Sequence, residues 1–197
     1  MGLHRAGFEV EGVDINPQPH YPFKFYQADA MTFDLSGYDA YWASPPCQSY
    51  TRKSANWGRK RVNKIEHPDL LAGIRKLLAA TGKLYIIENV PGAPINAGLM
   101  LCGSMFGLKI RKHRLFEGNW ALPFPPRTCD HKGLYNPWQG EGHSADKMRA
   151  AMGIPWMPTS GGASRKIGIT GDLFNAIPPA YSEYLGKELI KVMVSVT

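Results

Sequence analysis

Two side chains of this chain stand where chemistry is easiest to build, each at the end of an apolar run. Cys47 follows Pro45-Pro46, directly behind the apolar stretch 38–43. The prolines remove backbone donors and restrict the dihedrals ahead of the sulfur, which suits a sharp strand-exit turn and neither a continuing strand nor a helix interior. A rigid turn there can present Cys47 to a ligand as a nucleophile. A buried cysteine beside an ordinary Pro-Pro turn fits the same letters, and the stretch alone leaves both readings open. Glu88-Asn89 closes residues 83–90, the most strand-like segment, with aromatic and β-branched residues in a row. A carboxylate on the last turn of a buried strand is costly without a partner, which gives Glu88 a functional reading.

Other candidates fall at similar places. Asp14 ends a short strand expected over 9–15, and Asp29 ends a second over 23–29. Acids at the carboxyl ends of parallel strands commonly accept hydrogen bonds from ribose hydroxyls, although a turn-forming role is the commoner use of a lone aspartate. Residues 52–64 carry Arg52, Lys53, Arg59, Lys60, Arg61 and Lys64 with no acid among them. Following the candidate nucleophile, such a run reads either as a solvated basic surface or as a loop that closes on a phosphate backbone. In the basic segment 109–116, alternation puts Arg111, His113 and Leu115 on one face and Lys112, Arg114 and Phe116 on the other, without saying which faces a site. Cys129-Asp130-His131 and His143 suggest zinc, but the spacing lacks a second clear pair of ligands, so no metal is expected.

Short strands separated by helical segments must position these groups. A helix end closing at Gly7, strands over 9–15, 23–29, 38–43 and 83–90, and a helix from 67 to about 82 give an α/β pattern with a mostly parallel sheet covered on both faces. A short amphipathic helix is expected over 101–108, a strand over 109–116, a helix over 144–152 capped by Ser144, and a long closing helix over 180–192. With 197 residues, 44% of them hydrophobic, the chain can build one domain, read as a catalytic part at 1–117, a loop-rich excursion at 118–165 and a closing part at 166–197. The formal charge of +7 favours a polyanionic partner. Three widely spaced cysteines argue against a disulfide framework and for a reducing, cytoplasmic setting, and no apolar run is long enough to span a bilayer.

Taken in order, Pro46-Cys47-Gln48, Glu88-Asn89-Val90, Arg111-Lys112-His113-Arg114 and Phe174-Asn175-Ala176-Ile177-Pro178-Pro179 resemble the motifs of the C5-specific DNA cytosine methyltransferases, especially the short phage and prophage forms. Lys112 departs from the pattern, standing where that family usually has arginine. The resemblance implies a Rossmann-like S-adenosylmethionine-dependent methyltransferase fold with a mostly parallel sheet. The family's opening Asp-Leu-Phe-x-Gly-x-Gly-Gly would lie ahead of Gly2. Its absence implies a sheet with the first strand missing, in a monomer or in an assembly where a partner chain completes it.

The same resemblance implies the roles. Cys47 adds to C6 of a cytosine flipped out of duplex DNA, Glu88 binds its N3 edge and Arg114 its O2. Asp14 with Ile15 corresponds to the ribose end of S-adenosylmethionine, Asp29 with Ala30 to its adenine end, and Pro45 to its methyl-donor side. Asn175 corresponds to the closing-motif asparagine that supports the active-site loop beside the cofactor. The segment 118–165 occupies the place of target recognition. Two other readings remain at this level: a catalytically inactive DNA-binding relic, and a cysteine-dependent enzyme acting on free pyrimidine nucleotides.

Overall fold

The computed structural model describes residues 1–50, 68–96, 98–134, 144–157 and 171–196. The chain divides into two units, one of Met1–Gln27, Leu101–Lys112 and Pro125–Thr197, the other of Ala28–Met100 and His113–Phe124.

The second unit is built on a four-stranded sheet in the order β3-β4-β6-β5, with β3 at Ala40–Ala43, β4 at Leu84–Asn89, β5 at Leu99–Leu101 and β6 at Arg114–Gly118. Between β3 and β4 runs the helix Leu71–Ala80, here α2, and the two strands are parallel, with Ala43 opposite Ile87. That helix supplies the crossover a parallel pair requires. It lays Leu71, Ile74 and Leu78 on one stripe against Tyr85 and Ile87. β4 is buried from Tyr85 to Asn89, which explains its unbroken apolar run.

From β4 to β6 the chain passes only β5 and the single 3-10 turn Gly103–Phe106, with no helix long enough to cross over. β6 therefore returns antiparallel to β4, with Ile87 opposite Glu117 and Glu88 opposite Phe116. This corrects the expected Rossmann-like, mostly parallel methyltransferase sheet. The protein is α/β, but its larger sheet is mixed, and β1 (Glu11–Asp14) and β2 (Lys24–Gln27) form a separate two-stranded parallel sheet.

The first unit contains that small sheet and the helices α1 (Gly2–Ala6), α3 (Ala145–Met152), α4 (Gly171–Asn175) and α5 (Pro179–Val196). α1 lies on α5 so closely that a Cβ on Gly2 would fall 2.0 Å from Ser182 Oγ. Ser144 caps α3 by accepting a hydrogen bond from the Lys147 amide, and Gly153 closes it in the left-handed conformation. Met148, Met152, Ile154, Leu173 and Ile110 form the core below.

Three element boundaries differ from the sequence reading. The strand expected over 109–116 begins only at Arg114. Ahead of it, the Lys112 carbonyl accepts from Tyr181 Oη, so the backbone polar group that a ladder would use is already satisfied by a side chain. The helix expected over 101–108 is the short 3-10 turn, and β2 stops at Gln27, two residues before Asp29. Among the described residues no helix is long and apolar enough to cross a membrane.

Candidate active site

The parallel register of β3 and β4 brings two carboxyl ends side by side in the second unit. Past Ala43 the chain turns through Ser44 to Cys47 and enters the 3-10 turn Gln48–Tyr50. The turn is held from both sides. On the strand side Asn89 Nδ2 donates to the Pro45 carbonyl at 3.1 Å. This fastens the proline turn to the end of β4. On the far side the Tyr50 amide donates to the Cys47 carbonyl at 3.0 Å, and the Tyr50 hydroxyl donates to Asp69 ahead of α2. Burial and that carboxylate push the Tyr50 phenol up to about 12, so it stays a donor across the physiological range. Cys47 itself is half-buried and in no disulfide. A fixed, partly accessible sulfur is what a nucleophile needs.

Glu88 sits one residue before Asn89, and its partner is Arg114 at the start of β6. Arg114 Nε lies 2.8 Å from Glu88 Oε1, with both side chains nearly buried at 10% and 7% exposure. Because Glu88 faces Phe116 in the antiparallel register, Arg114 is the diagonal neighbour on the same face, within reach of a long side chain. Arg114 Nη1 also donates to the His113 carbonyl at 2.9 Å, fixing the plane of the fork. The unit thus brings together a clamped cysteine turn and a buried carboxylate–guanidinium pair at adjoining strand ends, a set of donors and acceptors suited to the edge of a planar heterocycle.

A second ion pair, between a half-buried arginine and a buried glutamate, lies further along β6. Arg75 Nε and Nη2 reach Glu117 Oε1 and Oε2 at 2.5 and 2.9 Å, and the Asn96 amide donates to Oε2 at 2.8 Å. Burial opposes the charge on Glu117, but Arg75 and the Asn96 amide outweigh it and hold the carboxyl below the usual glutamate range. This fork joins α2 to β6 and supports the strand that carries Arg114.

The residues expected to meet a cofactor divide between the units. In the first, Asp14 ends β1 half-buried; its Oδ1 accepts from the Asn16 amide at 2.8 Å and its Oδ2 from Gln18 Nε2 at 3.3 Å. Ile15 beside it is 67% exposed. An acceptor with lone pairs to spare next to an uncovered aliphatic side chain fits the ribose and the adenine of a nucleoside. Asn175, also in this unit, is exposed at the end of α4. In the second unit Asp29 and Ala30 are exposed, and Asp29 Oδ1 accepts from the Met31 amide at 2.8 Å as a turn former. Pro45 is half-buried in the cysteine turn. The basic residues Arg52, Lys53, Arg59, Lys60, Arg61 and Lys64 lie outside the described residues, as do 135–143 and 158–165 of the expected recognition segment.

Lys112 organises the closing segment. Its side chain is buried, its Nζ donates to the Phe174 carbonyl at 2.6 Å, and its own carbonyl accepts from Tyr181. These two bonds tie the segment ahead of β6 to α4 and α5. Elsewhere in this unit a cleft of about 450 Å³ is lined by His4, Phe8, Glu9, Glu11, Phe23 and Lys24. It opens at the amino ends of β1 and β2, opposite the end that carries Asp14. A comparison with protein-family models finds no match, and neither does one with curated proteins.

Proposed function

We propose that the chain is a DNA cytosine C5-methyltransferase in which Cys47, Glu88 and Arg114 act on one extruded base. The observation that carries the reading is the pairing of Glu88 with Arg114 at the strand end to which Asn89 fastens the Pro45-Pro46-Cys47 turn. The Cys47 thiolate attacks C6 of the cytosine: a C–S bond forms, the C5–C6 double bond opens, and its electron pair moves to C5. Glu88, which takes up a proton before it holds the N3 edge, gives that proton to N3 as charge develops on the ring and recovers it from N3 when the adduct collapses. The fixed fork of Arg114 holds O2 and keeps the ring in register with the sulfur. When bound, S-adenosylmethionine supplies the electrophilic methyl group that C5 takes, and it leaves as S-adenosylhomocysteine. A base then removes the C5 proton, the C–S bond breaks, and Cys47 is regenerated as the thiolate. None of these groups reaches C5 or C6 in stacked duplex, so the base must leave the helix at a cost of a few kcal/mol.

Asp14 with Ile15 binds the nucleoside end of the methyl donor in this reading, and the basic run 52–64 binds DNA phosphates without reading sequence. The test is transfer of a labelled methyl group from S-adenosylmethionine to cytosine-rich duplex DNA. Transfer that disappears with Cys47→Ala is expected. A folded chain that binds DNA in a salt-dependent way and transfers nothing would overturn the enzyme reading.

A further inference from the structure

A second cluster of chemically able side chains lies in the first unit, away from any role in the reaction above. Cys102 is fully buried and opens the 3-10 turn Gly103–Phe106. Cys129 and His131 come from an irregular segment 27 and 29 residues later. His131 Nε2 lies 3.5 Å from Cys102 Sγ and 2.6 Å from Cys129 Sγ, and the ligand atoms of all three lie within 4.8 Å of one another. Neither sulfur is in a disulfide.

We propose that Cys102, Cys129 and His131 hold a structural zinc ion. Two sulfurs and an imidazole around one point form the donor set that selects zinc over harder cations. With Zn–S near 2.3 Å and Zn–N near 2.0–2.1 Å, tetrahedral angles place sulfur and nitrogen about 3.5 Å apart, the separation of Cys102 and His131. The Cys129–His131 separation is shorter, and seating an ion requires these two side chains to part by about 1 Å.

Outer contacts favour the site. Ser104 Oγ donates to Cys129 Sγ at 3.6 Å and accepts from the Asp130 amide at 3.2 Å, so one hydroxyl orients both the sulfur and the loop that carries it. Gly103 lets the turn close: a Cβ there would stand 2.4 Å from the Ile110 carbonyl oxygen. The Leu134 amide donates to the His131 carbonyl, closing the Cys-x-His knuckle on itself. The ion would pin residues 125–134, a stretch without helix or strand, to the 3-10 turn. Structural zinc sites commonly support such loop-rich segments.

The test uses the full chain purified under reducing conditions. Elemental analysis is expected to give one zinc per chain, and cobalt(II) titration the intense visible bands of a tetrahedral thiolate site. Cys129→Ser and His131→Ala are expected to lose the ion, and Cys47→Ser to keep it. If a variant fails to fold, the wild-type chain still decides: removal of its metal by a strong chelator should lower the unfolding temperature, and added zinc should restore it. A folded wild-type chain with only traces of metal and no cobalt bands would overturn the proposal, as would unchanged zinc content in Cys129→Ser. Methyl transfer is read in none of these experiments, so failure here is distinguishable from failure of the proposed reaction.

Discussion

Replacing Arg114 with methionine removes the guanidinium from Glu88 and leaves the rest of β6 in place. The pair is 2.8 Å apart and nearly out of solvent on both sides, so the orphaned carboxylate cannot recover water without opening the sheet. Truncating one partner of such a pair costs about 3–5 kcal/mol. For a chain of this size each kcal/mol lowers the unfolding temperature by about 2–4 °C, giving an expected drop of about 6–20 °C. The double variant Glu88→Met with Arg114→Met removes both charges and is expected to recover most of the loss. Trp42 packs edge-on to Phe116 with ring centroids 5.7 Å apart, so denaturant unfolding followed by tryptophan fluorescence reports on this strand. A single variant no less stable than the double one, with no coupling between the sites, would refute the pairing.

Three further outcomes follow from the geometry. Because Glu117 is held below the usual glutamate range, its contribution is fully present above about pH 4.5 and is lost as pH falls through its lowered value; acid unfolding of Glu117→Gln should be less steep than wild type below that point. Ser144→Ala removes the acceptor for the Lys147 amide and should cost about 1 kcal/mol, read as a shifted urea midpoint with an unchanged slope. Gly103→Ala and Gly107→Ala separate two uses of glycine. The first drives a Cβ into the Ile110 backbone and should cost about 1–3 kcal/mol, while the second has open space at a φ of +72° and should cost about 1 kcal/mol.

Much of the local structure is legible in the letters. The alternation and β-branching of residues 83–90 give β4, the 3.6-residue stripe of Leu71, Ile74 and Leu78 gives α2, and Ser144 and Gly153 mark the ends of α3. The proline pair does predict a turn at Cys47. What the letters do not carry is direction. A strand's period of two is the same whether its neighbour runs parallel or antiparallel, so the β4–β6 pairing, and with it the mixed sheet, is invisible until the short connection is seen to lack a crossover helix. Long-range partners escape for a related reason. Glu88 and Arg114 are 26 residues apart and meet only through a diagonal in the register. Cys102 joins Cys129 and His131 across a gap too wide to read as ligand spacing. The local hint is Cys129-Asp130-His131 alone, which lacks a second pair of ligands at nearby spacing.

The central claim is that Cys47 bonds to a pyrimidine held by Glu88 and Arg114, and one measurement addresses it directly. Duplex DNA carrying 5-fluorocytosine permits addition at C6 and methyl transfer, but fluorine cannot leave as the C5 proton does, so the C–S bond persists. Incubation with S-adenosylmethionine followed by denaturing electrophoresis is predicted to give a protein–DNA band that Cys47→Ser abolishes and Glu88→Gln weakens strongly. A folded protein that binds this DNA and forms no covalent band, or an equal band in Cys47→Ser, would contradict the account.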